Sequence, residues 1–329
     1  MTGSVDVLIP CYNYGRYLDA CVASVLAGAQ RPVRVLITDD ASPDDTPAIA
    51  LALTRRYPEV CYVRHAVNLG HIATYNEGIQ WARSDYFVLL SADDLVASGS
   101  IERAAACLDA HPEVGLVYGR TRMFHGDVPD VPAPAAYWSE IVEGVAFIRQ
   151  TFASTENPIG SPASVMIRTA LQHEVGGYLP ELPHTGDLEM YLRCAARMAV
   201  GRLDVDQGLY RKHGTNMSRG FEHLRDYAQR ADAFAIAAAN CRSRLPDHEE
   251  LLRQVKRTMA MELFWTASCA FGRSESAADL DATLTFAAAL DPSIRASRCW
   301  RSLRVKRLLG AAWAARLDAA IDAVRRMAA

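Results

Sequence analysis

Between residues 5 and 121 short, almost wholly apolar runs alternate with stretches whose apolar residues recur at helical spacing. The runs lie at 5–9, 33–38, 60–65, 86–91 and 114–121. Between them Leu18, Val22, Val25 and Leu26 mark a first helix, and Asp45, Thr46 and Pro47 open a second,. Residues 73–83 and 100–110 carry the third and fourth. A strand that is apolar on both sides must be covered on both, which implies a parallel sheet with helices on each face. Such sheets bind ligands beyond the carboxyl ends of their strands, so the strand ends are where function is to be sought.

Those ends read PCYN, TDDAS and SADD. In VLLSADDLVASG a buried-looking strand runs straight into Asp93 and Asp94 with no basic neighbour. Two carboxylates that close repel unless water screens them or a cation lies between them. One acidic end would be read as a solvated loop. Four carboxylates on one rim, Asp39 and Asp40 with Asp93 and Asp94, point to a divalent cation and a polar ligand.

Composition narrows the classes. A net charge of −3 with 22% charged residues suits an ordinary globular chain and gives no general basic character for nucleic acid,. No uncharged apolar run approaches the ~20 residues of a membrane helix. The first residues lack a basic segment followed by an apolar run, so no signal peptide is expected. Eight cysteines without a CxxC pair suggest a reducing compartment, hence a cytoplasmic protein,. Nine basic and two acidic residues lie between Arg295 and Arg326 in an amphipathic pattern. That tail is expected to pack on the domain or on a homodimer partner, or to make peripheral contact with an anionic membrane.

Residues 125–140 hold three prolines and read as a surface loop,. A helix near 141–152, a strand at 163–168 and a helix at 187–198 follow, and beyond 221 only helices are expected. The boundary is placed near Gly220. Residues 1–220 form the catalytic domain, with a nucleotide-sugar half at 1–124 and an acceptor half at 125–220, and 221–329 form a helical region.

Five segments, taken in order over roughly 4–220, resemble the family 2 glycosyltransferases: VLIPCYN, LITDDASPDDT, NLGHIATYNEGIQWARSDYFVLLSADD, GGYLPELPHTGDLEMYLR and YRKHGTNMS. The resemblance implies the GT-A fold, an α/β architecture with a mostly parallel sheet flanked by helices, here with an all-α C-terminal extension. It also implies a metal-dependent, inverting, non-processive transfer from a nucleotide-diphosphate sugar to an acceptor hydroxyl, with Mn2+ or Mg2+ as cofactor. UDP or dTDP is expected as the donor nucleotide ahead of GDP. Pro10, Tyr12, Asn13, Asp39, Asp40, Asn68, Gly70 and Asn76 would form the nucleotide cleft. Of the SADD pair, one aspartate would hold the metal and the other the ribose or donor sugar. Asp94 is taken as the ligand together with His213, and Asp93 as the donor contact. Asp187, ahead of Leu192–Arg193, matches the catalytic base, although an aspartate there could also cap the helix. Tyr137 and Trp138 are assigned to the acceptor side.

Two positions depart from the family pattern: Ser91 where relatives often have aspartate, and Gly186 where a glutamate is usual. They raise the alternative of a non-catalytic sugar-nucleotide-binding or partner subunit. A dehydrogenase is excluded because PCYNYGRY has one glycine where a dinucleotide fingerprint needs three,. The QxxRW signature of processive synthases is absent.

Overall fold

A computed structural model describes residues 3–132, 134, 136–221, 224–272 and 277–310. The last part of the basic tail, 311–329, and two alanines of the 125–140 loop lie outside the described residues. The first half runs β1 (Val5–Cys11), α1 (Gly15–Leu26), β2 (Val33–Asp39), α2 (Thr46–Arg56), β3 (Val60–Arg64), α3 (His71–Trp81), β4 (Tyr86–Leu89), β5 (Leu95–Val96), α4 (Ser100–Ala110) and β6 (Val114–Phe124). The second continues β7 (Ser139–Val142), α5 (Gly144–Ser154), β8 (Val165–Arg168), α6 (Thr169–Val175), α7 (Gly186–Ala195) and β9 (Ala199–Arg211). Four helices follow: α8 (Leu224–Asn240), α9 (His248–Gly272), α10 (Ala277–Leu290) and α11 (Arg298–Leu309).

All strands join one sheet, ordered β3-β2-β1-β4-β8-β6-β9-β5, with β7 also on β9. The first four strands of that order pair in parallel, as the alternation predicts. The expected parallel neighbour of β4 is displaced. Antiparallel β8 lies between β4 and β6, bonding both. Period-two burial explains the layers. Val5, Val7 and Ile9 face α1, α2 and α4 in one core cluster, while Leu8 faces α3 and the α5–α8 layer in another. That second cluster does not stop at the sheet: Phe234 of α8 packs its ring 5.0 Å from Phe152 of α5. A separate cluster joins the later part of α9 to α10 and α11.

One polar group sits inside the sheet. Asp6, fully buried, accepts from Arg34 Nε and Nη2 at 2.8 and 2.7 Å. It also accepts from the Arg83 and Ser84 amides at 2.6 and 2.8 Å and from the Ser84 hydroxyl at 2.7 Å. Burial pushes its pKa up, but these donors win and hold the carboxyl below the usual carboxylate range,.

Candidate active site

The carboxyl ends of β1, β2 and β4 open on one rim, as the topology requires. Both β1 and β2 turn there through left-handed backbone, at Asn13 (φ 61°) and Ala41 (φ 60°). Such a conformation costs a non-glycine residue about 1–2 kcal/mol, and the two strained turns mark the rim. Tyr12 and Asn13 are exposed there and Pro10 is partly so. Asn13 is fixed through its amide, which donates to Ser42 Oγ at 2.9 Å.

Asp39 and Asp40 behave differently from that exposed lip. Asp39 is enclosed, accepting from the Ser42 amide at 2.8 Å and the Tyr62 hydroxyl at 2.9 Å, with Arg64 Nε at 3.4 Å. Asp40 is held by the Leu69 and Gly70 amides at 2.7 and 2.8 Å and by His65 Nδ1 at 2.8 Å. Asn68 closes the same loop, donating to the Asp40 carbonyl and accepting from the Gly70 amide. Burial lowers the pKa of His65, yet its partners Asp40 and Glu77 prevail and raise it. Both aspartates of TDD therefore shape the cleft from inside, rather than presenting free carboxylates to it. Asn76 likewise turns away from the nucleotide side. Its amide is used on the backbone of Tyr178, at both the carbonyl and the N–H.

The SADD pair divides. Both oxygens of Asp94 are engaged inside the fold, by the Arg211 amide at 3.0 Å and the Ser161 hydroxyl at 3.1 Å. Burial, and then the charge of Asp93, push its pKa up to about 8. Asp93 instead points Oδ2 at His213 Nε2 (2.9 Å) and Asn216 Nδ2 (3.3 Å). The other imidazole nitrogen, Nδ1, meets the Thr215 hydroxyl at 2.9 Å. Tyr14 and Tyr17 flank the imidazole, each with its ring centroid 5.4 Å away. Arg211, far from being a solvated cation, is buried between Tyr17 and Phe124 and donates to the Asp93 carbonyl at 3.1 Å. Geometry thus puts Asp93, rather than the expected Asp94, beside His213.

Asp187 lies in the first turn of α7, whose N-cap is Thr185. The capping role considered from sequence is corrected: the residue lies two positions past the N-cap. Burial raises its pKa to about 6, against a hydrogen bond from Tyr178 and the charge of His184, which lower it. Tyr75 of α3 stands among the acidic groups, its phenol pushed up by burial and then by Asp187, Asp93 and Asp94. The charges of the base candidate and of the SADD pair thus act on one phenol.

Tyr137 and Trp138 are exposed and directly precede β7. The Trp138 carbonyl accepts from the Asp204 amide at 3.0 Å, and Arg202 lies over the indole at 5.5 Å. Strand β7, which follows these two residues, pairs with the first half of β9, Ser139 lying opposite Leu203. Sequence reasoning also passed over Tyr75, Tyr178, Ser161 and Asn216. Of these Tyr75, Tyr178 and Asn216 lie within the segments that carry the family resemblance, and Ser161 lies outside them.

The sequence model described as glycosyl transferase family 2 matches residues 6–175. The chain is 26% identical over 204 residues to the uncharacterized protein MT1568 of Mycobacterium tuberculosis, covering 60% of this chain and 63% of that one. It is 25% identical over 207 residues to the N-acetylglucosaminyl-diphospho-decaprenol L-rhamnosyltransferase of the same species, covering 54% and 66%. The chain thus spans less than two thirds of these relatives' length. Among solved structures, Staphylococcus aureus TarS 1–349 in complex with UDP superposes with a TM-score of 0.60 at 16% identity, covering 88% of this chain and 81% of that one. Mannosyltransferase PcManGT from Pyrobaculum calidifontis, in complex with GDP-Man and Mn2+, gives 0.55 at 17% identity, covering 92% and 83%. The fold is GT-A. With just over half of its length matched by that sequence model, the chain belongs to glycosyl transferase family 2.

Proposed function

We propose that this protein is a glycosyltransferase that moves a sugar from a nucleotide-diphosphate donor to an acceptor hydroxyl with inversion at C1. The observation that carries the reading is the pairing of Asp93 with His213 at 2.9 Å beyond the carboxyl end of β4, with Asp187, at the start of α7, near enough for its charge and that of Asp93 to act on the same Tyr75 phenol. A nucleotide held on the Tyr12–Asn13 lip would bring its diphosphate toward Asp93 and His213. The acceptor oxygen attacks C1, the bond from C1 to the phosphate oxygen breaks, and its electron pair leaves with the nucleoside diphosphate. Asp187 takes the acceptor proton. A carboxylate suffices for this, because the hydroxyl becomes acidic only as its oxygen bonds to C1.

Among the described residues no three metal-ligating side chains cluster. Hard divalent ions often take only one or two carboxylates, with substrate phosphates completing the shell. Asp93 and His213 fit that partial set, and we assign Mn2+ or Mg2+ to them, with Asp94 as the buried support of the loop. When bound, such an ion neutralises charge developing on the leaving diphosphate. The relatives support the donor class and not the base: TarS was solved with UDP and PcManGT with GDP-Man and Mn2+. A uracil or thymine nucleotide remains the expected donor.

The test is thermal stability with UDP-, dTDP- and GDP-sugars, each with Mn2+ or with EDTA. A ligand at 100 times its Kd stabilises by about 2.7 kcal/mol, several degrees in a melt. One nucleotide class should stabilise the wild type only with metal, and Asp93→Ala should abolish the effect. Stabilisation that survives EDTA, or Asp93→Ala, would remove the metal assignment. Sugar turnover by the same samples separates an enzyme from a binding subunit.

A further inference from the structure

Helix α11 carries five basic residues and no acidic one over Arg298–Leu309. The helices before it differ: α8 and α9 mix both signs, and α10 has acidic charges only. One side of α11 is used in packing. Leu303 is buried in the cluster that joins α9, α10 and α11, and the Trp300 ring stacks on Phe264 of α9 with centroids 6.0 Å apart. Residues three apart in a helix share a side, so Trp300 and Leu303 define the inward face. The Ser297 hydroxyl caps the helix, accepting from the Trp300 amide at 3.1 Å, and Arg307 is paired with Asp281 of α10 at 2.6 Å.

The opposite side is built differently. Val305, Leu308 and Leu309, at i, i+3 and i+4, form one patch and stay exposed, Leu308 at 88%,. Arg298 and Arg301 lie seven and four positions before Val305, and Arg304 four before Leu308, so the three rim the same side,. They are exposed, and among the described residues no ion pair engages their guanidinium groups. A single exposed leucine needs no explanation. Three apolar side chains on neighbouring turns, ringed by cations of one sign, suit neither plain solvent nor a protein core, where unpaired guanidinium groups would be costly to bury.

We propose that this outward face of α11, Val305, Leu308 and Leu309 rimmed by Arg298, Arg301 and Arg304, docks on an anionic lipid surface with the helix lying in its plane. A partner that offers only phosphates would engage the arginines and leave the leucines in water. A bilayer surface takes both, acyl chains meeting the apolar side chains while the long arginine stems let the charges reach the headgroups. Twelve residues of helix span about 18 Å, well short of the ~30 Å hydrocarbon core, so the contact is peripheral,. Each arginine at such a surface contributes roughly a fivefold gain in partitioning.

The experiment is sedimentation of the full-length chain with vesicles of phosphatidylcholine, alone or mixed with phosphatidylglycerol. It is run at about 0.1 M and about 1 M salt, between which the screening length falls from about 10 to about 3 Å. The wild type should bind the anionic vesicles at least about tenfold more tightly than the neutral ones and leave them in high salt. Arg301→Glu with Arg304→Glu, and separately Leu308→Ser with Leu309→Ser, should each weaken binding by about tenfold or more. All four side chains are exposed, and an unchanged melting temperature shows that both variants fold,. Binding that either pair leaves intact, or that neutral vesicles match, overturns the proposal. A wild type that ignores both vesicles overturns it too; where that sample is a dimer which the leucine pair dissociates, the face belongs to a second copy of the chain.

Discussion

Asn76 on α3 and Tyr178, 102 residues later, are joined by two hydrogen bonds running in opposite directions. Asn76 Nδ2 donates to the Tyr178 carbonyl at 3.0 Å, and the Tyr178 N–H donates to Asn76 Oδ1 at 2.7 Å. A side-chain amide is the one group that can answer a peptide unit in this way, offering a donor and an acceptor side by side. The nucleotide half of the sheet and the loop beside the candidate base are thereby tied at one point.

Asn76→Ala leaves a backbone donor and a backbone acceptor without partners in a mostly enclosed place. Each such group costs about 1–3 kcal/mol, so a loss near 2–3 kcal/mol is expected in urea unfolding, with the m-value unchanged. Asn76→Asp keeps the acceptor but sets a carboxylate oxygen against the Tyr178 carbonyl, and should cost at least as much,. A loss within 0.5 kcal/mol of zero, the range of ordinary surface changes, would mean that the clamp carries no weight.

Asp187→Asn separates a functional carboxylate from a structural one. Its pKa is raised to about 6 in the fold, chiefly by burial, from 3.8. A raised carboxyl pKa means that the ionised form is penalised in the folded state. The penalty is fully present above pH 6 and absent below the unfolded value. Removing the charge should therefore stabilise the protein by about 2 kcal/mol at pH 8, with the gain fading toward pH 4. A carboxylate whose charge is compensated in the fold would give no gain at pH 8, or a loss. Urea midpoints at pH 4, 6 and 8 distinguish the two.

Asp6 has the opposite sign. Its pKa is lowered by Arg34, the Ser84 amide and hydroxyl and the Arg83 amide, once these overcome burial. The stability it contributes is present above the unfolded pKa and is lost as pH falls through the folded one. Arg34 is half exposed, so most of the effect belongs to the amides and the hydroxyl rather than to the ion pair,. Asp6→Ala should cost about 3 kcal/mol at pH 7, because buried donors lose their acceptor. The gap between variant and wild type should narrow below pH 4. A constant gap from pH 7 to pH 3 would show that the carboxylate charge is irrelevant.

The alternation of residues 5–121 was readable because period-two burial and helical spacing are local properties of the chain. The rim could be anticipated for the same reason: Asp93 and Asp187 sit at the ends of elements, where topology fixes their direction. What stayed hidden depends on contacts far apart in sequence. Whether Asp94 or Asp93 turns inward is decided by Ser161 and by the Arg211 amide, 67 and 117 residues away. Tyr178 looks like one more core aromatic until Asn76 is placed beside it.

The helices after Gly220 look in sequence like an appendage, but α8 meets the loop that leads into α7 and Asp187. His184 Nε2 contacts Asp226 Oδ1 at 3.1 Å, and the Thr185 hydroxyl donates to the Gln229 carbonyl at 2.9 Å. Buried Glu189 of α7 accepts from Asn240 Nδ2 at 3.1 Å. Beneath these contacts Phe234 is fully buried against Phe152, in the same cluster as Leu188 and Leu192 of α7. Phe234→Ala should therefore cost about 3–5 kcal/mol, as for other large cavities in a core, and should lower the melting temperature of the whole catalytic unit in one transition. Two separated transitions, with only the first shifted, would mean instead that α8 unfolds independently of the sheet.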